Sequence, residues 1–454
     1  MIQITSVSWK SSKNMMSAIS FIMAAMNDCK KYIKTWQMEP IGVAQAAALT
    51  PDDVEVKFFD DRVEEIDYDT ETDYVAISVE TYSAQRAYNI AKEFQKRNKK
   101  VLLAGFHPTL VSDEAKEYAD SILIGQAENV WAEIIEDMKK GKLKKIYQGD
   151  SNVDLKGIFP RRDIFEGKNY MPVTLIENSR GCKFNCQFCS IAAFHKSHCS
   201  YRPIEDVIFE VKNAKYKTIF FIDDNIGSNI ERAKELFRAL IPYKIKWISQ
   251  IATACLEDDE LIDLMEKSGC LGVLIGFESF NPENLKQMNK TWNNGIEKYE
   301  RILKKLTNHN IFVYGTFIFG YDEDTEETFK TTLDFAMRNN LILAAFNHLM
   351  PFPGTPLYET LKDRMLYDKW WLNENCSFAD VVFKPKNFTP EKLSELCYVY
   401  KKNFYSFPSM LKRAWGLRKC LLSHWTMMLD FFKYNIMSDI DTTKRRGFAI
   451  GKEK

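Results

Sequence analysis

Glu177-Asn-Ser-Arg-Gly-Cys-Lys-Phe-Asn-Cys-Gln-Phe-Cys-Ser190 follows directly on a strand-like run, Pro172-Val-Thr-Leu-Ile176, and sets three cysteines at gaps of three and two residues. Three thiolates on one short loop, Cys182, Cys186 and Cys189, can hold three irons of a [4Fe-4S] cube and leave the fourth iron open. An open iron is a place for chemistry, whereas four cysteines would close the cluster for electron transfer. Zinc is the competing reading. Structural zinc takes four ligands and favours paired cysteines, yet no second CxxC-type pair occurs, and only His195, His198 and Cys199 stand near enough in sequence to supply a fourth. Three cysteines on a polar loop introduced by glycine are also not a core pattern.

This spacing, with the aromatic Phe188 just before the third cysteine, resembles the signature loop of the radical S-adenosylmethionine (SAM) superfamily. The resemblance implies that SAM chelates the open iron and is cleaved to a 5′-deoxyadenosyl radical. Downstream, strand patterns recur six times: Val173 to Glu177, Lys217 to Asp223, Lys246 to Ile251, Leu271 to Glu278, Ile311 to Phe319 and Leu341 to His348. Helical patterns near 203–214, 230–241, 258–268, 294–309 and 324–339 separate them, giving a partial TIM-type barrel with its chemistry at the carboxyl ends of the strands. Phe221-Ile-Asp-Asp-Asn225, Gly276-Phe-Glu-Ser279, Gly315-Thr-Phe-Ile-Phe-Gly320 and Pro351-Phe-Pro-Gly-Thr-Pro356 resemble the strand-end motifs of that superfamily. The resemblance therefore implies SAM contacts from Phe188, Asp223, Gln250, Glu278, Ser279 and Gly315. Asp223 and Asp224 have a plainer role open to them, capping the helix that starts near Asn229. Glu278 ends a run as apolar as Val273-Leu-Ile-Gly-Phe277, where an unpartnered carboxylate is costly. His195 and His348 are read as structural.

Upstream lies a second alternation. Strands are expected at Ile2 to Ser6, Val54 to Phe59, Tyr74 to Val79, Lys100 to Ala104 and Ser121 to Ile124. Helices are expected at Ala84 to Lys99, Asp113 to Ala119 and Ala127 to Lys139, and the apolar stretch Met15 to Met26 reads as a buried helix. Such alternation predicts a doubly wound parallel sheet with ligands at the carboxyl ends of its strands. Three loops there carry the pattern: Thr81-Tyr82-Ser83; Gly105-Phe-His107-Pro108-Thr109; and Gly125-Gln-Ala-Glu128. They resemble the cobalamin-binding half of B12-binding radical SAM proteins, with Ala104 and Gln126 as departures from the usual Gly and Glu. The resemblance implies cobalamin held between the two halves. No Asp-x-His-x-x-Gly motif is present, so His107 is a loop residue and not a cobalt ligand. A sheet domain that binds no cobalamin is the alternative.

The α/β architecture expected is thus a Rossmann-like domain over 1–145, a linker over 146–170, a (βα)6 barrel over 171–360 and a helical basic and aromatic region over 361–454. The chain has 454 residues, 45% hydrophobic and 27% charged, and no apolar run long enough to span a bilayer. The chain has ten cysteines, scattered apart from the triad, which argues for a reducing, cytoplasmic compartment. Net charge is zero, but residues 401–454 hold twelve Lys/Arg against four acids, +8, which leaves −8 for the rest. Large apolar residues, Trp415 and Trp425 among them, interleave with those charges and suit a helix at the inner face of an anionic membrane. A packed helical layer with a solvated basic face is the other reading. No nucleic-acid module accompanies the charge, and no Walker loop or hydrolytic triad occurs.

Taken together these features imply a cobalamin-dependent radical SAM enzyme, a methyltransferase acting on an unactivated carbon of a hydrophobic small molecule. An electron donor such as flavodoxin or ferredoxin would serve it. The neighbouring Trp370 and Trp371 add to the expectation of a hydrophobic substrate. A radical cyclase or C–C bond-forming enzyme is the alternative within the class, and a non-catalytic cobalamin or iron–sulfur sensor the alternative outside it.

Overall fold

Each strand of the two main sheets runs parallel to its neighbours. All their carboxyl-end loops therefore gather on one edge of each sheet. The structure, a computed structural model, describes residues 18–23, 37–292, 295–423, 426–446 and 450, in two compact units.

The first unit is a six-stranded sheet in the order β2-β1-β3-β4-β5-β6, made of β1 (Ala18–Met23), β2 (Glu55–Asp60), β3 (Tyr74–Ser78), β4 (Lys100–Ala104), β5 (Ser121–Ile124) and β6 (Ile146–Gln148). The stretch Met15 to Met26, expected as a helix, instead provides the strand β1, paired on both edges. A strand covered on both faces reads as an unbroken apolar run, which periodicity does not separate from a buried helix. The strand expected at Ile2 to Ser6 lies outside the described residues. The supposed linker contributes β6, and residues 158–168 also belong to this unit. Phe165 packs edge-on against Phe58, and the Arg161 N–H donates to the Ala44 carbonyl at 3.0 Å.

In the second unit, β7 (Thr174–Ile176), β10 (Thr218–Phe221), β11 (Lys246–Gln250), β12 (Cys270–Glu278), β13 (Phe312–Phe319) and β14 (Leu343–His348) neighbour one another in chain order. A two-stranded antiparallel ladder, β8 (Ser179–Arg180) with β9 (Ser200–Tyr201), brackets the cysteine loop. Helices Ile204–Lys212, Ile230–Leu240, Asp259–Lys267, Ile296–Asn308 and Glu326–Arg338 alternate with the main strands as the periodicity predicts. Their inner faces bury an aromatic layer: Phe277 and Phe317 stack at 5.7 Å, with Tyr299 and Phe335 set edge-on to Phe277.

The C-terminal region is helical: Pro390–Phe404, Phe407–Gly416, Arg418–Ser423 and Thr426–Arg445. Met410, Leu417, Cys420, Leu421 and Phe431 close over Phe312, the first residue of β13. Arg413, fully buried, donates to the carbonyls of Leu341 and Ile342 at 3.1 Å, of Phe404 at 2.9 Å, and to Asn435 Oδ1 at 2.8 Å. These helices are thereby tied to the amino-terminal rim of the sheet, the end opposite the cysteine loop. Trp370 and Trp371 are buried, and the Trp370 indole donates to the Pro351 carbonyl at 3.0 Å. They pack beneath the Pro-Gly-Thr-Pro turn and present no surface to a substrate. No helix among the described residues is long and apolar enough to cross a membrane.

Asp324 fastens two strand ends together. It accepts from the Gly320 and Tyr321 N–H groups at 2.8 and 3.1 Å after β13, and from Asn284 Nδ2 at 2.8 Å after β12. Burial pushes its carboxyl up to about 6, against the pull of those three donors. The folded chain thus keeps a proton that the unfolded chain releases near pH 4, so this carboxyl's contribution to stability is lost as pH rises from about 4 to about 6. Denaturant unfolding from pH 4 to 7 is expected to show a shallower fall in stability for Asp324→Asn than for the parent chain; parallel slopes would contradict the assignment.

Candidate functional site

The cysteine loop has little regular structure, so its backbone groups need partners elsewhere. Two carboxylates at the end of β10 supply them on one side. Asp223, with no exposure, accepts from the Asn178 N–H at 3.2 Å, from Asn178 Nδ2 at 2.9 Å and from the Ser179 hydroxyl. Asp224 accepts the Gly181 N–H at 2.8 Å. Gly181 stands at φ +85°, and a Cβ there would lie 2.1 Å from the His198 carbonyl oxygen, so only glycine passes this point. Burial raises both carboxyls to about 6, with the donated hydrogen bonds opposing the rise. Contrary to the plainer expectation, neither aspartate caps the helix Ile230–Leu240: the Asn229 side chain accepts the Arg232 N–H there, and the two carboxylates hold the base of the cysteine loop instead. Asp223 has both oxygens occupied by the loop's base, and its expected contact with SAM gains no support.

On the other side the loop meets residues 288–292, which follow the helix Pro282–Gln287. The Gln187 N–H donates to the Met288 carbonyl at 3.0 Å, and Asn289 Nδ2 donates to the Asn185 carbonyl at 2.8 Å. Phe184 stacks on Trp292 at 4.3 Å, and the Gln187 carbonyl accepts the Leu357 N–H at 3.0 Å from the turn after β14. Phe188 packs against the barrel core, a supporting position.

All three thiols are free. Burial pushes the Cys186 thiol up to about 12 and raises that of Cys189, while the nearby Lys290 ammonium pulls Cys186 down. Asn225 Nδ2 lies 3.9 Å from Cys182 Sγ, placed to donate to a thiolate, while its Oδ1 accepts the Ala252 and Gly227 N–H groups. Among the described residues no three Cys, His, Asp or Glu side chains converge on a single ion. A cube asks something different, one thiolate on each of three irons, and three free thiols on one braced loop fit that request.

Glu278 ends β12 in the left-handed region, φ +65°, 7% exposed. Lys290 Nζ donates to Glu278 Oε1 at 2.8 Å and to the Gly276 carbonyl at 2.9 Å. A Cβ at Gly276 would fall 2.2 Å from Glu278 Oε1, so glycine there makes room for the ion pair. The sequence reading found the carboxylate and missed its lysine, which no spacing announces. Ser279 is buried, and its hydroxyl accepts the Asn281 N–H at 3.1 Å. Gln250 ends β11, half-buried, and its carbonyl accepts the Ile226 N–H. A Cβ at Gly315 would lie 2.6 Å from Leu341 Cδ1 and 3.2 Å from the Phe277 ring, so glycine there lets these two side chains pack against the strand. His195 is buried and held near 4 by burial, as a structural histidine would be. His348 differs: it too is held near 4, but its Nε2 is buried with no hydrogen-bond partner among the described residues.

In the first unit, the three expected loops stand at the ends of β3, β4 and β5. Thr81–Ser83 forms one turn of 3-10 helix. Gly105, at φ +105°, starts the short helix Phe106–Leu110, which carries the buried Pro108. The Thr109 hydroxyl donates to the Gly105 carbonyl at 2.8 Å and accepts the Gly125 N–H at 2.9 Å, joining two of the loops. His107 is fully buried, with Nε2 3.0 Å from the Tyr88 hydroxyl and 3.3 Å from Glu114 Oε1, and Nδ1 3.4 Å from the Thr81 hydroxyl. These contacts brace the loop from inside the fold. Tyr82 and Glu128 are half-buried at the same edge. Gly149, which sequence reasoning passed over, presses on this edge: a Cβ there would lie 1.8 Å from the Gln126 carbonyl oxygen.

A family model described as the Radical SAM superfamily matches residues 176–336. Bacteriochlorophyllide d C-12(1)-methyltransferase of Chlorobaculum tepidum is 33% identical over 390 residues, 83% of this chain and 85% of that protein. Bacteriochlorophyllide d C-8(2)-methyltransferase of the same organism is 28% identical over 369 residues, 76% and 80% of the two chains. Among solved structures, the radical SAM methyltransferase TsrM from Kitasatospora setae, with cobalamin and a [4Fe-4S] cluster bound, superposes with a TM-score of 0.65 at 16% identity. That superposition covers 86% of this chain and 82% of the other.

Breaking a buried ion pair from one side costs about 3 kcal/mol, whereas removing both charges costs far less. Lys290→Met is therefore expected to lower the unfolding free energy of the cluster-free protein by about that amount, and the double variant Lys290→Met, Glu278→Gln to recover most of it. Equilibrium unfolding in a double-mutant cycle checks this.

Proposed function

The chain belongs to the cobalamin-dependent branch of the radical SAM enzymes, and from that premise we propose that it methylates an unactivated carbon of a hydrophobic small molecule. The observation that carries the reading is the braced loop of three free thiols at the carboxyl end of the first barrel strand. Cys182, Cys186 and Cys189 would hold the cluster. When bound, the cluster, SAM and cobalamin supply the electron, the hydrogen-abstracting radical and the methyl group.

The chain's own part is to hold and to exclude. Asp223, Asp224 and the Met288–Trp292 segment fix the loop from two sides, so three thiolates can present themselves without local refolding. Asn225 offers a hydrogen bond to the Cys182 sulfur. Glu278, set in a left-handed turn and balanced by Lys290 on one oxygen, is the carboxylate for the amino or hydroxyl groups of SAM, with Ser279 next in the chain and Gln250 at the end of the neighbouring strand. Thr81, Tyr82, Ser83, Gly105, His107, Pro108, Thr109, Gly125 and Glu128 form the edge that would hold cobalamin. His107 acts there through its hydrogen bonds to Tyr88 and Thr81 and binds no cobalt.

The two relatives named for bacteriochlorophyllide methylation support a hydrophobic substrate and put tetrapyrrole side chains first among carbons to test. A flavodoxin or ferredoxin would deliver the electron on the cytoplasmic side, with peripheral contact to the membrane through the C-terminal region.

Anaerobic reconstitution with iron, sulfide and hydroxocobalamin, followed by SAM and dithionite, is expected to yield both 5′-deoxyadenosine and S-adenosylhomocysteine by mass spectrometry. Alanine at any of the three cysteines should abolish both products and the iron content. Deoxyadenosine without S-adenosylhomocysteine would favour a radical cyclase, and neither product from a loaded cluster would leave a sensor.

A further inference from the structure

The helices Phe407–Gly416 and Arg418–Ser423 are apolar on two sides. Their inward side, Met410, Leu417, Cys420 and Leu421, closes over Phe312. A helical layer that merely covered the barrel would turn polar side chains outward. Here the outward side carries Phe407, Leu411 and Trp415 at spacings of four, one above another along the same face, and then Leu422. They are 63%, 49%, 72% and 66% exposed. Single exposed apolar residues are ordinary, but a row of this size is not.

The charge around this row has one sign. Between Glu395 and Asp430 there is no acidic residue, against six basic ones, Lys401, Lys402, Lys412, Arg413, Arg418 and Lys419. Arg413 is used inside the fold and Lys402 is bound to Asp439. Lys412, Arg418 and Lys419 remain outward, with no carboxylate on any of them among the described residues. The Arg418 guanidinium lies 5.0 Å from the centre of the Trp415 ring, so the most exposed aromatic carries a cation on its face. An aromatic and leucine ridge rimmed by outward-facing cations matches the boundary between acyl chains and anionic headgroups. A bilayer supplies the apolar layer and the anionic headgroups together and needs no preformed groove to receive the ridge.

We infer that Phe407, Leu411, Trp415 and Leu422 form a docking ridge for an anionic lipid bilayer, with Lys412, Arg418 and Lys419 as its headgroup contacts. The inference rests on the membrane part of the proposal above and gives it a surface. The ridge is fastened to the amino-terminal rim of the barrel, whereas the cysteine loop opens at the carboxyl end. It therefore tethers the enzyme and is no part of its active site.

Full-length protein would be floated on density gradients with phosphatidylcholine vesicles, with and without phosphatidylglycerol. Truncating the tail would remove Arg413 and the cover over Phe312, so surface variants are used: Leu411→Ser with Trp415→Ser, and Lys412→Glu with Lys419→Glu. The parent chain is expected to float with the anionic vesicles, with binding about tenfold weaker or more to neutral ones and for either variant. Both variants should still cleave SAM at the parent rate. Failure of the parent to float, or flotation unchanged in the charge variant, would overturn the inference. A dimer seen by light scattering and dissolved by the serine variant would also overturn it, by assigning the ridge to a second copy of the chain. A chain that floats but makes no 5′-deoxyadenosine would keep the ridge and reject the methyltransferase.

Discussion

Two adjacent carboxylates at the end of one strand carry the mouth of the barrel. Asp223 and Asp224 take the N–H groups of a loop that makes few hydrogen bonds of its own, and they do so buried, where their ionised forms are disfavoured. Without them the three thiols would hang on an open segment, and cluster assembly would have to supply the ordering free energy as well as the bonds. Opposite them, Met288, Asn289 and Trp292 grip the same loop through one carbonyl, one amide and one ring. The loop is irregular in form and over-determined in position.

Much of this was legible because parallel strands and their helices differ sharply in pattern. Lys100–Ala104 and Ser121–Ile124 fall where they were expected, and the barrel strands agree to within two residues at their ends. The cysteine spacing marked the mouth, and Glu278 was found by the cost of placing a carboxylate after five apolar residues. What escaped was of another physical kind. β1 looked like a helix because a strand covered on both faces loses the alternation that identifies it. Lys290, twelve residues from Glu278, could not be paired with it from sequence, since the contact depends on where a turn returns the chain. The aspartates were visible, but whether they faced a ligand or the loop was decided only by the geometry of Asn178 and Ser179.

Glycines divide along the same line. Gly181 and Gly149 are fixed by backbone oxygens 2.1 and 1.8 Å from a would-be Cβ, and Gly276 by the ion pair beside it. Gly315 is crowded by the Phe277 and Leu341 side chains instead, a packing constraint that its place in a glycine motif does not announce. A glycine motif tells that something comes close; it does not tell what.

The Arg413 clamp bears on how such a chain changes over evolutionary time. One guanidinium holds carbonyls from the chain leading into β14, from the end of one C-terminal helix and from the amide of Asn435 on another. A recombination that exchanged the tail alone would strand those acceptors in the interior, so the physical cost falls on any exchange that separates the last strand from the tail. The carboxyl-end rim has fasteners of its own, in Asp223, Asp224 and Asp324, so the two ends of the barrel are held by separate sets of contacts.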